Sequence, residues 1–441
     1  MQKSIRFWLL SLLSCFLLQA QAQLKSGPML GYSDYMEVML WAQTQKPAKV
    51  KIVYWEVGQP GHKRSTDEVT TEKTTAYIAR MYADQVEPGK KYDYEIWVDG
   101  KKVVRPYALQ FQTQKLWQFR TDPPAFSFAF GSCAYLGEPE YDRPGTPYGQ
   151  QYEIFTKIDS LKPDFMVWGG DNNYYREVDW NTRTGMLRRM THGRAFPQLQ
   201  SLMAHTHHYA IWDDHDYGPN DADRSYWMKR DALDIFKLFW GNPNYTFEKE
   251  GITSTFQWGD CQFFMLDDRW WRAPNDLEGK NKDYLGKQQL DWLIDALRFS
   301  QATFKFIVCG GQVINPTAQF ENYSVYAEER EELLKRITEQ KISGVVFLSG
   351  DRHHTAVHKL ERSKAYPFYD FTISPFTSGP ARQTKEEAVA PTLLPETVLQ
   401  ERNFAVMSLS GSRTERVLTV KTYNTRGELK WTKEVKASEL K

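Results

Sequence analysis

The sequence predicts an α/β domain over residues 125–441, preceded by a small all-β domain over residues 24–115. In residues 24–115, short segments of alternating apolar and polar residues are separated by turns. In residues 125–441, apolar strands alternate with helical stretches, a pattern typical of a sheet with helices packed on it. Residues 116–124 end in two prolines and predict a linker between the two domains.

The all-β domain is predicted from its alternation and its turns. Residues 35–41, 48–54 and 92–98 have strand-like patterns, and Asp99-Gly100 predicts a short hairpin turn. About seven strands in a region of this length favour a small sandwich. The stretch 87–98 resembles the late strands of fibronectin type III domains, and the region carries no cluster of potential ligands.

Residues 1–22 predict a cleaved signal peptide. Lys3 and Arg6 form the positive start, residues 7–18 are apolar, and small residues precede a cleavage site after Ala22. The apolar run is shorter than a membrane-spanning helix needs. We therefore expect export to the periplasm or the extracellular space. A lipoprotein anchored at Cys15 is the weaker alternative, because the apolar run continues beyond that cysteine.

The overall charge excludes some function classes. Loss of the signal peptide, which carries two positive and no negative side chains, changes the formal charge from +1 to −1. Nucleic-acid and membrane-surface binders need concentrated basic charge, which this chain lacks. No transmembrane segment is expected after cleavage, and the oligomeric state stays open.

Three cysteines remain after cleavage, so an exported chain keeps at least one unpaired thiol. Cys133 lies at a predicted strand end beside other potential ligands. Cys261 and Cys309 lie in or beside apolar strand patterns and are expected to be small core residues, with a disulfide between them as the alternative.

Four apolar stretches end abruptly in residues that bind metals. The carboxyl ends of strands in open α/β sheets are where such folds place their sites, so these endings predict one shared rim. The endings are Cys133, Asp171, the segment from Asp214 to Asp216, and Asp351 with Arg352, His353 and His354.

Two of these endings carry most of the functional prediction. Gly170 lets the chain turn so that the Asp171 carboxylate can bridge two cations, and Tyr174 can supply a phenolate. An Asx turn with Tyr174 packed nearby is the structural alternative. Carboxylates crowded around His215 favour a metal site, with Asp214 as ligand and His215 as an acid or transition-state donor.

The remaining candidates are less specific. Asp351 and His353 are spaced to reach the same rim, with a solvated loop as the alternative, whereas Cys133 alone is equally compatible with an inert buried thiol. Asn173, Arg269 and Arg352 are candidate substrate contacts. Arg269 and Arg272 could bind a phosphate, or they could pair with Asp267 or Asp268 in the scaffold. We favour the scaffold role. The histidines of the tract 205–208 precede a strand and are expected at the surface.

The order of four motifs along this chain resembles that of the alkaline phosphatase D-like (PhoD-like) metallophosphatases. The motifs are Cys133, Asp171-x-x-Tyr174, Asp213-Asp214-His215-Asp216 and Gly350-Asp351-x-His353. These belong to the wider calcineurin-like phosphoesterases, and the resemblance covers roughly residues 125–441. It implies a metallophosphatase-type β-sheet sandwich flanked by helices. Members of the family often carry a fibronectin-like N-terminal domain, which residues 24–115 match loosely.

The resemblance also implies the metal chemistry. By it, the metal ligands are Cys133, Asp171, Tyr174, Asp214, Asp351 and His353. Thiolate and phenolate favour Fe³⁺ and the carboxylates favour Ca²⁺, with other divalent metals as the alternative. Cys133 stands where Asp-x-His is usual in the broader fold, Asp214 where Asn is usual, and both Asp351 and Gln312 where His is usual. These differences argue against a standard di-zinc or di-manganese site.

The predicted function is a secreted metal-dependent phosphoesterase that hydrolyses a small phosphate ester through a metal-activated hydroxide. His215 would protonate the leaving group or hold an equatorial oxygen. One alternative is a phosphodiesterase or phospholipase acting on extracellular nucleotides, polymers or lipids. A more distant alternative is a non-catalytic surface-binding protein with structural metals.

Overall fold

The computed structural model describes residues 24–279 and 282–441. The predicted signal peptide and Cys15 lie outside the described residues. Within those two ranges, none of the helices has the length and apolar character needed to span a membrane. The chain divides into two compact units: the first contains the described residues up to Leu116 together with Arg194–His207, and the second contains the rest.

The first unit is a β-sandwich that also contains the short helix Gln200–His205. Its strands are β1 (Leu24–Ser33), β2 (Val38–Thr44), β3 (Lys49–Glu56), β4 (Arg64–Ser65), β5 (Val69–Thr70), β6 (Ile78–Ala83), β7 (Lys91–Val98), β8 (Lys101–Val103) and β9 (Gln110–Gln112).

Two sheets form this sandwich. In one, β2 pairs antiparallel with β1 and with β6. The other has the order β4-β3-β7-β8, with β5 on β3 and β9 on β7. Apolar side chains of both sheets, such as Leu40, Met81, Ile52 and Ile96, form one shared core. These strands agree with the all-β character predicted here, whereas the fibronectin-like identity of the region stays a prediction.

The second unit contains two larger sheets and most of the helices. Its strands are β10 (Phe126–Gly131), β11 (Phe165–Gly169), β12 (His207–Ile211, whose first residue is grouped with the first unit), β13 (Ser254–Trp258), β14 (Cys261–Met265), β15 (Phe304–Val308), β16 (Val345–Ser349), β17 (Thr355–Arg362), β18 (Ala365–Thr372), β19 (Leu393–Leu399), β20 (Asn403–Ser410), β21 (Val417–Asn424) and β22 (Leu429–Lys436). Its α-helices are Glu153–Ser160, Arg183–Arg194, Asp214–Tyr217, Lys229–Phe239, Lys287–Phe299, Ala327–Glu339 and Lys385–Ala388.

The strand orders explain the apolar runs of the sequence. One sheet runs β22-β21-β20-β10-β11-β12 within this unit, and the other runs β13-β14-β15-β16-β18-β17-β19. The pairs β10–β11, β14–β15 and β15–β16 are parallel. Parallel strands are covered on both faces, which is why their sequences are continuously apolar. The predicted α/β class is confirmed, as is the antiparallel C-terminal part, β20 to β22.

Aromatic side chains fill the space between these two sheets. The ring of Phe128 on β10 lies 5.2 Å from that of Phe263 on β14 and 5.5 Å from that of Phe306 on β15, both in edge-to-face arrangements. Phe165 on β11 also meets Phe263 edge-to-face at 5.5 Å. Such ring pairs add to the stabilisation from burial itself. The core therefore joins the two sheets through rings near the middle and the N-terminal ends of these strands.

Two expectations about placement are corrected. The four ligand-bearing strand endings belong to two sheets rather than to one rim, because β16 lies in the sheet that does not contain β10, β11 and β12. The histidine tract is not at the surface: His207 and His208 are both buried. His208 Nδ1 accepts a hydrogen bond from Trp168 Nε1 at 3.0 Å, and His207 Nδ1 lies 2.9 Å from the carbonyl oxygen of Gly31. A strand covered on both faces buries its first residues too.

The aromatic core gives a direct stability prediction. Phe306→Ala should lower the free energy of unfolding by about 3–5 kcal/mol, because it opens a cavity between the two sheets. The matched control Phe299→Ala removes a side chain that is 87% exposed and should change it by less than about 0.5 kcal/mol. Urea unfolding of wild type and both variants measures these free energies. Equal unfolding midpoints for Phe306→Ala and Phe299→Ala would contradict the assignment of Phe306 to the core.

Candidate metal centre

Left-handed backbone turns follow the strands that bear the candidate ligands. Cys133 after β10, Asp171 after β11, and Asp351 and His353 after β16 have φ angles of 60°, 53°, 61° and 54°. Side chains other than glycine rarely adopt this conformation. The Ala134 N–H donates to the carbonyl of Asp171 at 2.7 Å, which ties two of the turns together. The backbone thus turns sharply at four of the six candidate ligands.

Two glycines allow the strand ends to converge. Gly170 has a φ of 97°, and a Cβ there would lie 2.8 Å from the Cβ of Asp213. A Cβ on Gly350 would lie 2.5 Å from the side chain of Ser132 and 3.0 Å from the carbonyl oxygen of Gly169. Only glycine fits at either position without moving neighbouring atoms. These close approaches bring side chains from both sheets into one cluster.

The first group of potential ligands contains Cys133, Asp171 and His353. One donor atom from each lies within 4.8 Å of the others. Cys133 Sγ is 3.7 Å from Asp171 Oδ2. The hydroxyl of Tyr174 lies 3.0 Å from the same Asp171 oxygen and 3.3 Å from His353 Nε2. A thiol, a phenol, an imidazole and a carboxylate therefore face one point.

The second group contains Asp171, Asp214 and His215. The backbone N–H of His215 donates to Asp171 Oδ1 at 3.3 Å and to Asp214 Oδ1 at 2.8 Å. The other Asp214 oxygen accepts from the N–H of Asp221 at 2.8 Å. Asp171 therefore belongs to both groups of potential ligands.

A cavity of about 340 Å³ opens onto both groups. Its lining includes Asp171, Asp214, His215, Asp351 and His353. Asp351 Oδ2 is buried and has no hydrogen-bond partner among the described residues. An unpartnered buried carboxylate oxygen facing other carboxylates is unfavourable unless a cation accompanies it.

Burial dominates the electrostatics of the cluster. It raises the pKa of Asp351 to about 7, with Glu321 and Asp214 adding to the rise and Arg352 opposing it. Burial, followed by the charge of Asp214, also raises the pKa of Asp171. Burial lowers the pKa of His353 to about 4, which leaves its imidazole neutral and able to bind a metal. Carboxylates in this state ionise readily only when a cation offsets their charge.

Hydrogen bonds at Nδ1 hold the His353 ring in one orientation. Its Nδ1 lies 2.9 Å from the carbonyl oxygen of Gly379 and 2.8 Å from the hydroxyl of Tyr148. A carbonyl only accepts hydrogen bonds, so Nδ1 carries the proton and Nε2 presents its lone pair to Tyr174 and Asp171. Hydrogen bonds of this kind commonly fix the tautomer of a metal-binding histidine.

A third acidic group, made of Asp213, Asp214 and Glu321, already contains a cation from the chain itself. The fully buried Arg269 forms an ion pair with Asp213 and donates to Glu321 at 2.8 and 2.7 Å. Buried Arg272 adds a further contact to Glu321 at 3.1 Å. Arg269 is therefore a structural ion-pair partner, and its expected contact with substrate is wrong, because no part of it reaches the cavity. Its Nε also lies 3.8 Å from Asp268 Oδ1, as the scaffold alternative expected, and its backbone N–H donates to Asp267 Oδ1 at 2.9 Å.

The other candidate substrate contacts occupy different positions. Arg352 lines the 340 Å³ cavity, although its Nε and Nη2 donate to Glu387 and its guanidinium lies over the ring of Phe320. Asn173 is buried, and its Nδ2 has no hydrogen-bond partner among the described residues. Asn173 is not among the residues that line the cavity.

Several residues near the cluster were not identified from the sequence. Glu321 completes the third acidic group, Tyr148 contacts His353, and the hydroxyl of Ser374 donates to Cys133 Sγ at 3.2 Å. Glu321 and Tyr148 follow no strand, so their sequence carries no signal of this placement.

Three further expectations concern buried polar residues. Cys261 and Cys309 are free and buried, which confirms their core role and makes the alternative disulfide wrong. Gln312 is buried, donating to Thr372 at 2.9 Å and accepting from Asn315, so its amide is engaged in the scaffold. His354 is also buried, apart from the groups described above.

The donor set fits a pair of metal ions. A thiol, a phenol and an imidazole around Cys133, Tyr174 and His353 suit a soft or strongly Lewis-acidic metal, whereas the carboxylates around Asp214 suit a hard cation. The unpartnered Asp351 oxygen and the unpartnered Nδ1 of His215 are further buried atoms without a protein partner in the described chain. Asp171 is suited to contact both ions.

Comparisons with known proteins agree with this geometry. The model of the PhoD-like phosphatase family matches residues 128–429, and that of a domain of unknown function, DUF7800, matches residues 21–116. Alkaline phosphatase D of Bacillus subtilis (strain 168) is 24% identical over 391 residues. That alignment covers 76% of this chain and 64% of the relative, which is less than two thirds of its length.

Solved structures with the same fold are also found. A structure of PhoD superimposes with a TM-score of 0.75 at 16% identity, covering 94% of this chain and 92% of the other. The purple acid phosphatase PPD1 from seeds of yellow lupin (Lupinus luteus) gives a TM-score of 0.69 at 11% identity, covering 93% and 74%. At such identities the likeness establishes the fold, and it confirms the predicted metallophosphatase-type architecture.

The role of Arg269 can be tested by stability. Arg269→Met should lower the free energy of unfolding by about 3–5 kcal/mol, because it leaves Asp213 and Glu321 buried without their cation. Arg426→Met removes an exposed ion pair with Glu428 and should leave unfolding almost unchanged. Thermal unfolding of both variants is the measurement, and a stable Arg269→Met protein would contradict the structural role.

Proposed function

The chain belongs to the PhoD-like phosphatase family, and we propose that it is an exported metal-dependent phosphoesterase whose reaction takes place in the 340 Å³ cavity. The observation that carries the proposal is the position of Asp171, which is shared by two groups of potential ligands. A carboxylate between two cation positions is typical of two-metal hydrolytic sites. The resemblance of the N-terminal region to an export signal supports the location.

The proposed ligands are Cys133, Asp171, Tyr174, Asp214, Asp351 and His353. Bound cations would neutralise the charge of the phosphoryl group and make a water molecule acidic enough to attack it. We propose Fe³⁺ beside Cys133 and Tyr174, because thiolate and phenolate are strong anionic donors. We propose Ca²⁺ beside Asp214, because that side of the cluster is built from carboxylate oxygens.

His215 is the proposed catalytic residue. Burial lowers its pKa, so the imidazole is neutral near pH 7 and can donate one hydrogen bond. Its ring lies over that of Tyr174, with centroids 4.2 Å apart, which restricts its rotation. Lining the cavity, it is suited to donate to the leaving oxygen or to an equatorial phosphoryl oxygen. Arg352 is a candidate contact for that phosphoryl group.

A preference for phosphodiesters is the second candidate function. The observation that favours it is a larger cavity beside the first, which gives room for a second ester arm. Turnover of p-nitrophenyl phosphate and bis(p-nitrophenyl) phosphate by the metal-loaded protein separates the two activities. A protein with its full metal content that hydrolysed neither ester would instead support the non-catalytic alternative.

Asp171→Asn tests the catalytic proposal. The amide keeps the shape of the side chain but removes the charge shared by the two cation positions, so turnover should fall by at least about 1,000-fold. The control Asp295→Asn lies on an exposed helical face and should retain wild-type rates. Rates are measured on both aryl esters, with circular dichroism to verify folding; wild-type turnover by Asp171→Asn would sink the assignment.

Cys133→Ala tests the proposed metals. We expect the purified variant to lose most of its iron while it retains calcium, because the thiolate contacts only the first group of ligands. Cys261→Ala removes another buried thiol at a distance from the cluster and should keep both metals. Elemental analysis of the three proteins decides it. Equal iron content in wild type and Cys133→Ala, or no iron in either, would contradict the proposed distribution.

A further inference from the structure

A second cavity, of about 890 Å³, adjoins the cavity of the candidate metal centre within the same unit. Tyr148, His215 and Asn220 line both, so the two meet beside the proposed catalytic histidine. Aromatic side chains form much of the wall of the larger one. These are Tyr135, Tyr148, Tyr152, Tyr174, Tyr175 and Trp180.

Arg176 gives this cavity its chemical character. The residue lines the cavity but is only 8% exposed, and its guanidinium lies 5.1 Å from the ring centroid of Tyr135. Among the described residues, its side chain forms no ion pair, and its Nε has no hydrogen-bond partner. An arginine this buried is normally paired with an anion, because desolvating an unpaired charge is costly.

The other charged side chains in the cavity wall have partners. Asp142 lies 3.6 Å from the guanidinium of Arg189 and also accepts hydrogen bonds from the Tyr135 hydroxyl at 2.7 Å and from the N–H of Glu138 at 2.6 Å. Arg143, at the exposed edge, pairs with Glu177 at 3.2 Å. Among the charged side chains in this wall, Arg176 is therefore the one without an ion-pair partner in the described residues.

We propose that the larger cavity binds the leaving arm of a phosphodiester, and that Arg176 recognises an anionic group on that arm. The aromatic wall suits a planar arm, and the guanidinium suits a carboxylate or a second phosphate, which it can bind through two hydrogen bonds. This inference rests on the proposed function and narrows it to diesters with a negatively charged, planar leaving arm.

The reaction is ordinary hydrolysis with an oriented substrate. The oxygen of a water molecule forms a bond to phosphorus, the bond from phosphorus to the leaving oxygen breaks, and the proton that the water releases is taken up by that leaving oxygen. His215 lies where the two cavities meet, beside the position of the leaving oxygen. Arg176 does not touch the reacting atoms, so it determines specificity without taking part in the chemistry.

Two matched substrates test the proposal: methyl 4-carboxyphenyl phosphate and the corresponding diester whose carboxylate is blocked as a methyl ester. The blocked phenol is the better leaving group, so a preference for the free carboxylate cannot arise from intrinsic reactivity. The measured quantity is the ratio of kcat/KM for the free over the blocked substrate. Each ratio is internal to one protein preparation, so partial loss of folded protein does not affect it.

Four metal-loaded proteins are compared. The ratio should favour the carboxylate in wild type, fall by about 10- to 100-fold in Arg176→Met, and be partly retained in Arg176→Lys. It should be unchanged in Arg426→Met, which removes an exposed arginine that does not line the cavity. An unchanged ratio in Arg176→Met, or a wild-type preference for the blocked substrate, would overturn the proposal.

Binding measured without turnover separates this proposal from the proposed function. Isothermal titration calorimetry compares 4-carboxyphenylphosphonate with its carboxylate methyl ester on wild type and Arg176→Met. If no ester is hydrolysed, the proposed function fails, while a selectivity for the free carboxylate that disappears in Arg176→Met still supports the anion site. Equal affinities of wild type for both phosphonates would overturn the anion site even if esters are hydrolysed.

Discussion

The constraint on which the rest of the site depends is the burial of several carboxylates within a few ångströms of one another. At a separation of 4 Å, two like charges repel by about 4 kcal/mol even at the effective dielectric constant typical of protein sites. The chain compensates part of this itself, since Arg269 and Arg272 neutralise Asp213 and Glu321. Asp171, Asp214 and Asp351 face the cavity without such a cation in the described structure, which is why we assign them to metals.

That arrangement has a conformational cost in the backbone. Cys133, Asp171, Asp351 and His353 each adopt a left-handed conformation, at roughly 1–2 kcal/mol for a residue with a Cβ. Such turns persist only where the surroundings leave no alternative. Here the aromatic core holds the two sheets together, and Gly170 and Gly350 permit the close approach of the strand ends. The rigid sandwich therefore holds strained turns that an isolated loop would not maintain.

Local sequence predicted the parts of this structure that follow one strand at a time. The apolar runs and their abrupt endings at Cys133, Asp171 and Asp351 are visible in the sequence, because a buried strand and the turn after it are consecutive in the chain. The division of these strands between two sheets was not predicted, since it depends on pairing between distant segments. The prediction for His207 and His208 was wrong because it placed them before a strand, whereas both lie in β12 and are buried.

Long-range pairs account for the rest of what was missed. Glu321 is 52 positions from Arg269, and Tyr148 is 205 positions from His353. Residues this far apart in the chain do not form a periodic pattern, so the sequence gives no indication of either contact. The same holds for Arg176, which the sequence offers as one basic residue among many, and whose lack of a partner is visible only in three dimensions.

In the proposed reaction, the two adjoining cavities would together orient a substrate by the sign of their charge. The smaller cavity is lined by carboxylates that would bind cations, and bound cations would attract a phosphoryl group. The larger cavity presents the guanidinium of Arg176. A molecule with a single negative group could occupy either cavity, whereas a molecule with two can satisfy both at once. Because His215 and Tyr148 line the boundary, a diester bound in this way has its leaving oxygen beside His215. The charge pattern thus selects the orientation in which the proposed donor faces the bond that breaks.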